Sequence, residues 1–174
     1  YCPNAMPLHY GSLFPLHEGW TWLDALKGKR VLVVHPYVKT IVSQYRIAQK
    51  YSLHSGIPPL PAFELQCYRP VNSIGGKSAD SACWHDALRH MIDDVTKLDF
   101  DIALVGCGVY GVPLSVHIKR MGRVAIHTGG ATQLIFGIKG RHYDQCGMYN
   151  EHWVRATGED VPSNMGLIEN GRFL

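Results

Sequence analysis

The chain has 174 residues, 46% of them hydrophobic and 18% charged, a balance that supports one folded domain with a substantial core and excludes intrinsic disorder. Its net charge of +3 is too small for a nucleic-acid-binding surface, because the lysines and arginines are scattered apart from Lys27-Gly28-Lys29-Arg30 and Lys119-Arg120. No apolar run approaches the roughly 18–20 residues a membrane span needs, and no signal peptide is present.

Residues Tyr1–Gly19 are rich in proline, glycine and histidine and read as irregular. The opening at Tyr1, without a methionine, suggests a piece of a longer polypeptide. Trp20–Leu26 reads as a short helix leading into a turn at Lys27–Lys29. Arg30–Val34 is apolar and β-branched and predicts a buried strand ended by Pro36. Thr40 is placed to cap a helix over Ile41–Lys50, with Ile41, Tyr45 and Ala48 on one face.

Gly56, Pro58, Pro59 and Pro61 mark a loop over Ser55–Pro61. Glu64–Tyr68 predicts a strand of alternating character, and Ser73–Ser81 a polar glycine loop. Trp84, Leu88, Met91, Ile92 and Val95 keep helical spacing through Cys83–Lys97. A strand over Ile102–Val105, a glycine turn, a helix over Val112–Met121, a strand over Val124–Ile126 and a helix over Ala131–Phe136 follow. From Lys139 onward the chain is turn-rich, with Trp153-Val154-Arg155 as its one apolar knot. This alternation predicts an α/β, Rossmann-like three-layer sandwich with a mostly parallel sheet, as a single domain over residues 1–174.

Gly106, Gly108 and Gly111 form a Gly-x-Gly-x-x-Gly turn between a strand and a helix, which lets a backbone approach a phosphate. A dinucleotide site would add a carboxylate at the end of the next strand. That strand ends in Ile126-His127-Thr128, which counts against NAD and, less strongly, against S-adenosylmethionine. A second glycine pair stands in Thr128-Gly129-Gly130-Ala131-Thr132-Gln133, with Lys139 and Arg141 just beyond. On the first strand's end, His35 is a candidate for proton chemistry, and Lys39 and Thr40 could meet an anion. Glu151 and His152, beside Trp153, are candidates for base or acid. The histidines show no HxxxH or HxH pair, and there is no zinc-finger spacing, P-loop or nucleophile elbow. The five cysteines (Cys2, Cys67, Cys83, Cys107, Cys146) lack CxxC spacing and read as reduced thiols in a cytoplasmic protein.

The stretches KGKRVLVVHPY, FDIALVGCGVYGVPLSVHIKRMGRVAIHTGGATQLIFGIKGRHYD and NEHWVR resemble a family of bacterial surface-polysaccharide gene clusters. The match covers most of Gly28–Arg155 and is densest from Asp99 to Arg141. The second half is also similar to GT-D type glycosyltransferases. In those, a strand–glycine–helix–strand unit precedes a Gly-His-x-Asp-x-Glu-like segment that serves a metal and the sugar diphosphate. Here Thr128–Gln133 keeps the glycine and lacks both acids, and the Arg-x-Gly-Asp-Gly-Glu-like motif of that class does not occur.

The resemblance implies a glycosyltransferase, or the donor-binding part of a longer one. It would take a nucleoside-diphosphate sugar as donor, a glycan as acceptor and no further cofactor. In that reading Gly106, Gly108, Tyr110, Gly111, Thr128, Gly129, Gly130 and Gln133 contact the donor. Lys39, Lys139 and Arg141 balance the diphosphate in place of a divalent metal, and His35, Glu151 and His152 serve as base or orienter. Two alternatives stay open: a methyltransferase using S-adenosylmethionine at the 106–111 turn, and a non-catalytic module that binds nucleotide or glycan.

Overall fold

The structure is a computed structural model that describes residues 4–7, 9, 21–71, 83–161, 166 and 171. The expected loop at Ser73–Ser81, most of the N-terminal segment and Trp20 lie outside these residues. Four strands, β1 (Arg30–Val34), β2 (Glu64–Tyr68), β3 (Ile102–Val105) and β4 (Val124–His127), form a sheet in the order β2-β1-β3-β4. Every pairing is parallel, with Val34 level with both Tyr68 and Val105, and Val105 level with His127. The helices are α1 (Val38–Ala48), α2 (Trp84–Lys97), α3 (Gly111–Arg120) and the short α4 (Thr132–Ile135).

The strand sequences explain the layering. β1 and β3 are central, so both of their faces are covered and each reads as an unbroken apolar run. Along β1, Val31 and Val33 face a core built with Ile41, Tyr45 and Ala48 of α1 and with Ile135, Phe136 and Ile138. The alternate residues Leu32 and Val34 face a second core with Ala87, Met91 and Val95 of α2 and Leu114 and Ile118 of α3. The result is the three-layer sandwich the sequence predicts. β2 and β4 flank the central pair, which is why their composition is mixed.

Several boundaries differ. The short helix expected over Trp20–Leu26 is a 3₁₀ helix over Thr21–Leu26. Helix α1 begins three residues earlier than expected, so Thr40 lies inside its first turn and is not the N-cap. Gly129–Ala131 is a 3₁₀ turn, which shortens α4 to one turn.

The strand order sets where a ligand can sit. β1 sends its chain outward to β2 through α1, and β3 sends its chain the other way to β4 through α3. The loops after β1 and β3 therefore part in opposite directions, which makes the topological switch point of an open α/β sheet. Ligands bind at the carboxyl ends of the strands at such a point. On the opposite rim, Arg30 binds Asp99 and Asp101, and its guanidinium holds the Asp101 carboxyl down at about 2.

Candidate functional site at the carboxyl rim

Three turns meet above β1, β3 and β4, and Gly106 is where they touch. A methyl group on Gly106 would lie 2.5 Å from Thr132 Oγ1, 2.7 Å from the Gly129 carbonyl oxygen and 2.8 Å from His35 Cδ2. The close approach that glycine permits here is made by the protein's own β1 and β4 turns. Thr132 Oγ1 also donates to the Gly129 carbonyl at 2.8 Å and lies 2.6 Å from Thr128 Oγ1. Gly108 is different: φ is +57° and nothing stands within 4 Å of a Cβ placed there, so this part of the turn is open. Gly129, at φ +55°, is nearly as open, with only a His127 ring carbon near.

His127, at the end of β4, ties the two glycine turns together. Its Nδ1 accepts the Gly129 amide at 3.1 Å. Its Nε2 would lie 2.5 Å from a methyl on Gly111. Burial lowers its pKa, so the neutral ring, protonated on Nε2, is favoured. In the sequence His127 stands out only as the position where a dinucleotide site would carry a carboxylate. The signal was the pairing of a ring at a strand end with a glycine at the start of the preceding helix.

His35 is buried, and its Nδ1 accepts the Tyr37 amide at 3.1 Å. Burial drives its pKa down to about 3, only partly offset by Asp160. A neutral imidazole accepting at Nδ1 carries its proton on Nε2. Such a ring orients its neighbours and is poorly placed to act as a base.

The N-terminus of α1 is closed by a residue the sequence did not single out. Asp160, in a 3₁₀ turn over Gly158–Asp160, is 1% exposed. Its carboxylate accepts the amides of Lys39 and Thr40 at 3.1 and 2.5 Å, the Thr40 hydroxyl at 2.6 Å and the Arg69 guanidinium at 2.7 Å. Burial pushes its pKa up, but these donors outweigh burial and hold it below the usual carboxylate value. The Lys39 ammonium pairs with Glu159. The anion position expected at Lys39 and Thr40 is therefore filled from within the chain. Asp160 stands 120 residues from Thr40 in sequence, so no local pattern announces it.

The other candidates divide. Tyr110 is buried between α2 and α3 under the Trp84 indole. Gln133 is buried, and its amide nitrogen donates to the Ile138 and Lys139 carbonyls, so it shapes the next loop. Lys139 lies 5.4 Å from the Tyr149 ring centre, and Arg141 is exposed on the same segment, which packs on α4 through Tyr143 and Trp153. Glu151 and His152 are not at the rim. His152 stacks on Tyr51 beyond the far end of α1, and its carbonyl accepts from Gln44. With 11 residues in α1, that end lies about 16 Å from the helix start.

The donor set does not fit a metal ion of the kind the resemblance would bring. Among the described residues no three histidine, cysteine or acidic side chains gather around one point. Asp160, the buried carboxylate at the rim, is engaged by four protein donors.

Residues 81–135 match the model of the GT-D fold-like domain. Over this stretch, from the start of α2 to the end of α4, the chain is similar to the GT-D fold glycosyltransferases and has a glycosyltransferase-related fold. No curated protein and no solved structure matches the chain.

Proposed function

We propose that the domain is a glycosyltransferase, or the donor-binding part of one, which holds a nucleoside-diphosphate sugar at the carboxyl rim and passes the sugar to a glycan. The observation that carries this reading is a coincidence of two boundaries. The GT-D-like match spans both glycine turns; the first stands at the switch point of the sheet and the second packs against it at Gly106.

In the reaction an acceptor hydroxyl attacks the anomeric carbon while the diphosphate departs with the bonding pair. The open backbone of the Gly108 corner before α3 and the Gly130 amide would receive the diphosphate, since the Gly129 amide is held by His127 and the Gly111 amide by the Gly108 carbonyl. His35 and His127 would hold those turns in register, as neutral rings. Lys139 and Arg141, on the flank of α4, would supply cationic charge. Neither Glu151 nor His152 reaches the rim, so the base would come from elsewhere, the acceptor or a longer chain included. A reducing, cytoplasmic setting suits the free thiols of Cys67, Cys83, Cys107 and Cys146. Among the described residues no helix is long and apolar enough to cross a membrane.

A thermal-shift panel of uridine, guanosine, adenosine and cytidine diphosphate sugars, with and without Mn²⁺, tests the proposal. A ligand at a hundred times its Kd adds about 2.7 kcal/mol to stability, so one class of nucleotide should raise the melting temperature. Stabilisation by S-adenosylmethionine alone would favour the methyltransferase reading. Binding without transfer or donor hydrolysis would favour the non-catalytic module, and strict dependence on Mn²⁺ would refute charge balance by lysine and arginine.

A further inference from the structure

One cluster at the rim is not used by the account above. The Trp84 indole, at the first residue of α2, lies over the Tyr110 ring with centroids 5.3 Å apart and planes within 8°. Tyr110 is 2% exposed and seated in the core between α2 and α3, so it is a fixed base for the indole. Trp84 itself remains 36% exposed. The His85 ring meets the indole edge-on at 5.2 Å, and Val109 and Val112, on either side of the Tyr110–Gly111 step, are 71% and 62% exposed. Val109 lies between Tyr110 and Gly108, the open corner of the glycine turn. Topology puts all of this at the carboxyl rim, because α2 starts there on its way from β2 back to β3.

We infer that the Trp84–Tyr110 stack is the platform for the flat base of a nucleoside diphosphate. This rests on the donor-site reading above and names the part of the donor that the glycine turns leave unaccounted for. A diphosphate at the start of α3 has the adjoining nucleoside within reach of this surface. A heteroaromatic ring on a flat indole buries area on both partners and gains stacking attraction whatever the base. Burial of Tyr110 holds the indole in one orientation, so little freedom is lost on binding. The selectivity expected is therefore for nucleotides over inorganic pyrophosphate, with modest preference among bases.

Calorimetric titration of the full chain with uridine, guanosine and adenosine diphosphate and with inorganic pyrophosphate tests this, alongside Trp84→Ala and Trp84→Phe. Trp84→Ala should weaken nucleoside diphosphates about ten-fold or more and leave pyrophosphate within about two-fold. Trp84→Phe should retain most of the nucleotide affinity. Nucleotide binding unchanged in a folded Trp84→Ala protein overturns the platform and leaves the donor-site reading intact. A wild-type chain that binds neither nucleotides nor pyrophosphate overturns both. Should Trp84→Ala fail to fold, quenching of the wild-type indole emission decides. Quenching by nucleotides and not by pyrophosphate, absent in Trp84→Phe, supports the platform, and its absence overturns it.

Discussion

Helices α1 and α3 begin on either side of the switch point and meet the same difficulty in different ways. Each turns its first-turn backbone, which the helix itself leaves without partners, and the positive end of its dipole to the rim. At α1 the protein answers with its own carboxylate: Asp160 takes two amides, a hydroxyl and a guanidinium. At α3 no side chain caps the first turn and no acid occurs in it; the Gly111 amide turns back to the Gly108 carbonyl and Pro113 has no amide hydrogen, and the turn before it is open at Gly108. The difference teaches where an external anion is welcome. A helix start already neutralised from within would repel a phosphate, whereas its twin across the crevice holds no carboxylate to displace.

The largest effect that could break this contrast is loss of the α1 carboxylate. Asp160→Ala removes a buried anion and strands two amides and Arg69, so chemical denaturation should show a loss of about 3 kcal/mol, and nucleotide binding at α3 should survive in the folded fraction. An unchanged midpoint would mean that Asp160 does not seal the helix.

Acid comes next. His35 has its pKa lowered to about 3 and His54 to about 4, in both cases by burial. Below about pH 6.5 the unfolded chain takes up protons that these native rings refuse. Their contribution to stability is thus complete above that pH and drains away as pH falls toward their native values. Each ring adds up to about 1.4 kcal/mol per pH unit in that window. Urea titrations at pH 7 and pH 5 should differ accordingly, and His35→Gln should remove one ring's share of the slope.

A smaller effect separates crowded from open glycines. Gly106→Ala forces a methyl into Thr132, Gly129 and His35 and should cost about 2 kcal/mol, with a matching drop in melting temperature. Gly108→Ala meets no atom within 4 Å and carries only the strain of a left-handed φ, about 1 kcal/mol. If the two glycines cost the same, the rim is not divided as described.

The layers were legible because periodicity is local. Val31 to Val34 and Ile102 to Val105 announce central strands, and Trp84, Met91 and Val95 announce the face of α2. The glycine turns could also be placed, since a turn after a parallel strand has one rim to occupy. Their internal arrangement could not. Gly106 and Gly111 answer to Thr132, His35 and His127, which arrive from other turns. Glu151 and His152 stand side by side in sequence and in space, yet the His152 ring stacks on Tyr51 away from the rim, a contact made across 101 residues. Thr40 looked like a cap and is instead a donor to Asp160. In each failure the deciding partner lay far along the chain.

That separation bears on biosynthesis. The acid that closes the start of α1 leaves the ribosome 120 residues after the threonine it binds, so β1, α1 and the whole sheet can be made while that end is still bare. The nascent protein would then pass through a stage in which both mouths of the crevice attract anions alike. Only translation of the Gly158–Asp160 turn makes the two unequal.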